Sequence, residues 1–260
     1  MKNMKENGFT LVELAIVLMI IGLLIGGILR GQELMENSRV SSTIQQVLAY
    51  QGAMVTFQDS YAMLPGDIVT ATTRLPGCTA ANDCRNGDGN GIIGTMGQSY
   101  PWANISSAVA TENTQFWKHL AAAHLISGVN PGALTPEWGD THPIAKIGGG
   151  FFMRASTWRG TTMDMPMQGH YLLLRRNISG NWDCGIASPA TSRGLCSVAP
   201  VRASQIDRKM DDGIAYAGEV LAVSANSTTG CGFNDQGENG PNGYAEGKTG
   251  RACDMMFRFY

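Results

Sequence analysis

Three sets of residues in this chain have types and spacings that could do chemistry. The first is a single carboxylate, Glu13, in a run from Phe9 to Leu29 that is otherwise apolar or small except for Thr10. An acid near the start of a membrane helix costs about 2.5–3.5 kcal/mol on insertion scales, so such residues tend to have a function and a nameable partner. Cutting after Gly8 would put a new amine on Phe9, within reach of Glu13 on the same helix or on a neighbouring one. Paired across subunits, the carboxylate would set register; buried and unpaired it is costly. The second set is Asn86-Gly87-Asp88-Gly89-Asn90-Gly91-Ile92-Ile93. Oxygen side chains at alternate positions, a turn glycine and the Ile92 carbonyl imitate the first half of an EF-hand calcium loop. The twelfth position would be Gly97, which brings no carboxylate, so Asp83 or Asp67 is the expected substitute. A plain Asn/Asp/Gly turn explains the same residues, and that alternative stays open.

The third set is the cysteines, at 78, 84, 184, 196, 231 and 253. An even count outside the apolar run reads as disulfides in an exported domain. Short loops favour Cys78–Cys84, Cys184–Cys196 and Cys231–Cys253. Zinc is the rival, but no C-x-x-C occurs. No catalytic set accompanies these groups: G-x-S-x-G, H-E-x-x-H and G-x-x-x-x-G-K-[ST] are all missing from the sequence, and the chain reads as no enzyme. His119 and His124 are expected at the surface or at helix caps. Trp102, Trp117, Trp138, Trp158 and Trp182 are expected in the core or interfaces rather than on a sugar platform. Asn234-Asp235-Gln236-Gly237-Glu238-Asn239-Gly240 reads as a solvated loop inside the Cys231–Cys253 bridge.

The elements that must position these groups follow from periodicity. Phe9–Leu29 would make a helix of about 31 Å, enough to cross a bilayer core. A secretory signal is disfavoured because Ile25–Gln32 offers no A-x-A-like cleavage site. From Gln32 to about Tyr61 no Pro interrupts, and Val40, Ile44, Val47, Leu48, Met54, Val55 and Phe57 recur near helical spacing. One helix with an amphipathic second half is expected, packed on a globular domain. Gly22, Gly26, Gly27 and Gly31 either allow close helix packing or let the helix loosen. Leu64-Pro65-Gly66-Asp67 ends it. A second helix is expected at Thr114–Ile126 with Gly128 as its stop, and a short one capped by Ser204 and ended by Gly213. Strands are expected at Gly150–Ala155, His170–Arg176, Glu219–Val223 and Met255–Tyr260. The fold class is α+β: a long N-terminal helix packed on an antiparallel β-sheet with disulfide-pinned loops.

Composition agrees. The 260 residues carry 19 basic and 21 acidic side chains, and 43% hydrophobic content supports a core. Without the first eight residues the balance is 17 against 20, so no basic nucleic-acid footprint is present. High glycine, 33 residues, with 15% charge describes a loop-rich, export-type surface.

Gly8-Phe9-Thr10-Leu11-Val12-Glu13-Leu14, behind a short basic leader and ahead of a long apolar helix, resembles the type IV pilin and type II secretion pseudopilin family over about residues 1–60. Ile206-Asp207-Arg208-Lys209-Met210-Asp211-Asp212-Gly213 resembles, more weakly, a segment of longer bacterial pilin-like proteins. The resemblance implies cleavage between Gly8 and Phe9 by a prepilin peptidase, N-methylation of Phe9 and polymerisation through the helix, with Glu13 neutralising a neighbouring subunit's amine. It divides the chain into a leader, 1–8; a transmembrane and fibre-core helix, 9–29; the amphipathic half of that helix, 30–62; and a globular head, 63–260. Expected partners are other pilins, the peptidase and the inner-membrane assembly machinery. The expected place is the inner membrane with a periplasmic head, then an extracellular pilus or periplasmic pseudopilus. Some pseudopilins bind calcium, so calcium on Asn86, Asp88, Asn90 and Ile92 is an optional expectation; no cofactor is required. A pseudopilin, a minor tip pilin and a membrane-tethered periplasmic enzyme or binding protein are the alternatives.

Overall fold

The computed structural model describes residues 10–94, 108–158, 167–178, 196–223, 231, 243–247 and 250–259. Helix α1 runs Leu11–Tyr61, and the chain divides into two compact units between Arg39 and Val40. In the first unit the large apolar side chains are exposed all round, from Ile21 at 45% to Leu11 at 91%. By length and composition this helix can cross a membrane. Beyond the apolar run come the i,i+3 pairs Arg30–Glu33 and Glu36–Arg39, which being exposed add little stability.

The second unit contains the core. Here α1 buries Val40, Thr43, Val47, Tyr50, Met54 and Phe57. Their spacings alternate three and four, the stripe that keeps one face of a helix on a partner. The expectation for this half was one register too generous: Leu48 and Val55 are exposed and Ile44 is only partly buried. Thr43 and Tyr50 take the inward positions, because place on the 3.6-residue face outranks side-chain polarity when a partner is available. Tyr50 stands edge-on to Trp117 of a helix over Glu112–Ala122 at 5.1 Å and to Phe151 of a strand over Gly150–Trp158 at 5.4 Å, joining three elements. Polar side chains fix the register. The Thr43 hydroxyl accepts from Ile147 N, and Gln46 donates to Ile144 O and accepts from Lys146 N, so its amide stands in for a strand partner.

Helix α2, Ala71–Arg74, and a 3-10 turn, Ala80–Asn82, lie between the Leu64-Pro65-Gly66-Asp67 stop and the next long helix. Helix α3 spans Glu112–Ala122 rather than Thr114–Ile126. Its stop is His124, at φ 58°, not Gly128: Leu125 N reaches Leu120 O and His124 N reaches Ala121 O, a Schellman closure with a histidine where glycine is usual. Helix α4, Pro200–Met210, begins four residues before the expected Ser204 cap, because Pro200 sits in its first turn, where a missing N–H costs nothing. Ser204 is therefore a buried residue inside the helix.

Four strands, β1 (Gly150–Trp158), β2 (Met167–Arg175), β3 (Val220–Val223) and β4 (Asp254–Arg258), form an antiparallel sheet in the order β1-β2-β4-β3. All four expected strands exist; β1 and β2 are longer than their apolar runs suggested. The exposed edge of β1 is blunted by its surroundings. Phe151 N donates to Pro143 O, Ala155 N to Ile93 O, and Asn113 Nδ2 donates to Met153 O. The α+β architecture expected from the sequence is the one observed.

Because Phe57 is fully buried on the α1 stripe, Phe57→Ala should lower stability by about 3–5 kcal/mol. Denaturant unfolding of the detergent-solubilised chain measures this; Leu48→Ala, on the exposed face, should change it by less than about 1 kcal/mol.

Candidate functional site

Gly8 and Phe9 lie outside the described residues. Glu13 sits in the first turn of α1, where its carboxylate Oε2 accepts from both the backbone N–H and the hydroxyl of Thr10, at 2.9 and 2.8 Å. Glu13 N donates back to Thr10 Oγ1 at 3.3 Å. This reciprocal pair is a capping box, Thr-x-x-Glu, and it supplies acceptors for two amides that open the helix. The sequence carried that signal, [ST]-x-x-[DE] before an apolar run, and the reading of Glu13 as an assembly group passed over it. Both bonds from Thr10 fall on Oε2. Among the described residues Oε1 accepts no hydrogen bond.

The oxygen-rich loop is built differently from an EF-hand. Asp67, which follows the Leu64-Pro65-Gly66 helix stop, accepts from Gly89 N and Asn90 N through Oδ1 and from Gly91 N through Oδ2. Glu112, at the start of α3, accepts from Asp88 N and Gly94 N. Two carboxylates thus gather five amides of one turn, and the glycines make that wrapping feasible. Gly89 and Gly91 have φ of 77° and 82°. A Cβ at Gly87 would collide with the Asp67 backbone.

The four expected calcium ligands are placed as follows. Asn86 Oδ1 accepts from the backbone N–H and hydroxyl of Thr72. Asn90 donates its amide to Asp88 Oδ2 and accepts from Ile92 N. Asp88 meets Asp67 and Glu112, the three carboxylates each offering an oxygen within 4.8 Å of the others. They are the residues that could hold a cation here. Asp83, named as a substitute ligand, instead pairs with Arg85. Glu112 was missed because it lies 24 positions from Asp88; an acid in a helix's first turn was its only sequence signal. Burial raises the proton affinity of Asp67 and of Glu112, while the loop amides pull it back down.

Cys78–Cys84 and Cys231–Cys253 are bonded as expected. Cys196 is disulfide-bonded, and its expected partner Cys184 lies outside the described residues. The loop closed by Cys78–Cys84 rests on α3. Lys118, wholly buried, donates to Asn82 O and Asp83 O; Gln115 accepts from Arg85 N and donates to Asp83 O. His119 is no surface residue. It is fully buried, accepts from Gly66 N through Nδ1 and meets Arg85 O through Nε2, and burial pushes its pKa down to about 4. A neutral ring with Nε2 protonated satisfies both contacts. His124 is exposed at the α3 terminus, as expected of a cap. Trp117 is buried and Trp138 half-buried, its Nε1 donating to Arg176 O. Trp102, Trp182, Gly97 and the loop 234–240 are outside the described residues.

The second motif, Ile206–Gly213, folds as the end of α4 and the turn after it. Asp207 accepts from Gly213 N and from the Tyr244 hydroxyl; Asp211 accepts from Glu219 N and Val220 N; Asp212 accepts from Ile214 N. Its acids are therefore structural acceptors that lead the chain from α4 into β3.

Asp67→Ala takes one acceptor each from Gly89 N and Asn90 N, which keep Asp67 O and Asp88 Oδ1, and takes from Gly91 N the Oδ2 it donates to, a loss of about 1–3 kcal/mol if that amide is left unsatisfied. Hydrogen exchange should speed up at Gly89, Asn90 and Gly91 and stay unchanged at the α1 amides of Val47–Met54.

Neither the comparison with curated proteins nor that with solved structures gives a match. The family model of the prokaryotic N-terminal methylation motif matches residues 3–29. That span contains the capping box of Thr10 and Glu13 and the whole apolar run. Residues 3–29 thus carry the signature of type IV pilins and pseudopilins, the substrates of prepilin peptidase.

Proposed function

We propose that this protein is a structural subunit of a type IV pilus or a pilus-like fibre and has no enzymatic role. It is processed after Gly8, N-methylated at Phe9 and polymerised through its N-terminal helix. One observation carries the reading: the methylation motif at 3–29 coincides with a helix whose apolar side chains are exposed on every side. Water does not tolerate such a surface; a bilayer does, and so does a bundle of identical helices. The helix therefore serves first as an anchor and then as fibre core. Glu13, capped by Thr10 on one oxygen, offers the other to the new amine of an adjacent subunit. The head is periplasmic before assembly and decorates the fibre afterwards. A type II secretion pseudopilin or a minor tip subunit would use the same chemistry.

The test is intact mass and N-terminal sequencing of the chain co-expressed with prepilin peptidase, beside Glu13→Ala. The expected result is a methylated Phe9 start in both, with the variant excluded from sheared fibres. An uncut N-terminus, or fibres that incorporate Glu13→Ala normally, would return the chain to a membrane-tethered periplasmic protein.

The meeting of Asp67, Asp88 and Glu112 favours a second property, calcium binding. Extracellular sites of this kind bind with Kd of about 10⁻⁴–10⁻³ M, so calcium a few-fold above that should raise Tm by a few degrees. Glu112→Gln should abolish the rise. A Tm that does not move with calcium would reduce the loop to a turn held by its own carboxylates.

A further inference from the structure

Asn-Gly is the step of a peptide chain most open to self-modification, because glycine has no side chain to keep its amide from the asparagine carbonyl carbon. Two such steps, Asn86-Gly87 and Asn90-Gly91, stand in the turn gathered by Asp67 and Glu112. Gly87 is half-buried; Asn86, Asn90 and Gly91 are exposed, so water reaches them and burial does not guard them. In the reaction, hydroxide takes the proton of the glycine N–H. The nitrogen then attacks the asparagine Cγ and closes a five-membered succinimide, while the Cγ–Nδ2 bond breaks. Water returns a proton to the leaving nitrogen, which departs as ammonia. A second water opens the ring at either carbonyl and leaves aspartate or isoaspartate.

Each glycine amide is held away from this chemistry, by a different acceptor. Gly87 N donates to the backbone carbonyl of Ile68 at 2.9 Å. Gly91 N donates to the carboxylate Oδ2 of Asp67 at 2.9 Å. The asparagine side chains are held as well. Asn86 Oδ1 accepts from Thr72 N and Oγ1, at 3.0 and 3.1 Å. Asn90 Nδ2 donates to Asp88 Oδ2 at 2.7 Å, and its Oδ1 accepts from Ile92 N at 2.8 Å. The Asp67 contact bears directly on the nucleophile. The attacking form of Gly91 is an amide stripped of its proton, and a carboxylate at hydrogen-bond distance would set a second negative charge beside it. A carboxylate is far too weak a base to keep an amide proton, so Oδ2 holds the hydrogen in place and does not remove it.

We propose that Asn90-Gly91 is a latent self-modification site and that Asp67 is the group that holds it off. Once Gly91 N is released from Oδ2, it can close on Asn90 Cγ. The product is a fourth acid beside Asp67, Asp88 and Glu112 or, as isoaspartate, a turn lengthened by one backbone carbon. Both products lack the Nδ2 donor that meets Asp88, so a modified turn cannot return to its former hydrogen bonds. Asp67 thus keeps an exposed glycine-rich turn chemically intact as well as folded. The assignment depends neither on calcium nor on assembly into a fibre.

The experiment incubates the full chain in detergent with a chelator at mildly alkaline pH and follows residues 86 and 90 by peptide mapping. Deamidation shows as the mass gain of an amide-to-acid exchange, and isoaspartate as a separate peak. The reference is the synthetic peptide of residues 85–94. In the parent chain residue 90 should deamidate about ten- to a hundredfold more slowly than in the peptide, the factor that one hydrogen bond to a charged acceptor imposes. Asp67→Ala should bring residue 90 close to the peptide rate. Asn86 should stay slow in that variant, because Gly87 N keeps Ile68 O. A parent residue 90 that deamidates at the peptide rate overturns the proposal. So does an Asp67→Ala variant that is no faster than the parent at residue 90, which would make the carboxylate a bystander or a base. Equal acceleration at 86 and 90 assigns the effect to loss of the whole turn and overturns it too. Should Asp67→Ala fail to fold, the parent in low concentrations of guanidinium decides: deamidation at 90 that does not rise with hydrogen exchange at Gly91 overturns the proposal.

Discussion

One helix must satisfy two environments, and the rest of the structure depends on how α1 does so. Its apolar half needs hydrocarbon or other helices around its whole circumference. Its second half needs water on one side and a core on the other. No break separates the halves among the 51 residues of Leu11–Tyr61. The change is made by side chains alone, from a run with one carboxylate to a stripe spaced three and four apart. Helix α3, strand β1 and residues 144–147 meet that stripe. Loss of the stripe would expose Trp117 and Phe151, which meet at Tyr50.

A second constraint is the large amount of irregular backbone. A glycine-rich chain with short strands leaves many N–H groups outside helices and ladders, and each needs an acceptor once buried. Side chains supply them here: Asp67 and Glu112 for the turn of residues 88–94, His119 for Gly66, His170 for Ile93, Asp211 for the entry to β3. These groups resemble metal or catalytic residues in type. In position each accepts from a backbone amide of the irregular segments. The same physics explains why the carboxylates gather: acceptors for one turn's amides converge wherever those amides point.

Coupling between sites is a consequence of this arrangement. The acceptors are titratable, so the fastening of loops to the head is linked to proton activity, with histidines and buried carboxylates pulling in opposite senses.

Much of this protein was legible in its residues, for local reasons. The apolar run, its single acid and the Gly8–Leu14 motif are contiguous, so the methylation motif and a helix long and apolar enough to cross a membrane could be read directly. So could four strands and the pairings Cys78–Cys84 and Cys231–Cys253, which close short loops. What only the tertiary structure decided involves partners far apart in sequence. Glu112 joins Asp67 and Asp88 because α3 begins beside the turn; Thr43 and Gln46 face inward because residues 144–147 run along α1; Pro200 rather than Ser204 starts α4. Periodicity states that a face exists. It cannot state which residue pairs with which, because that depends on the packing of every other element against it.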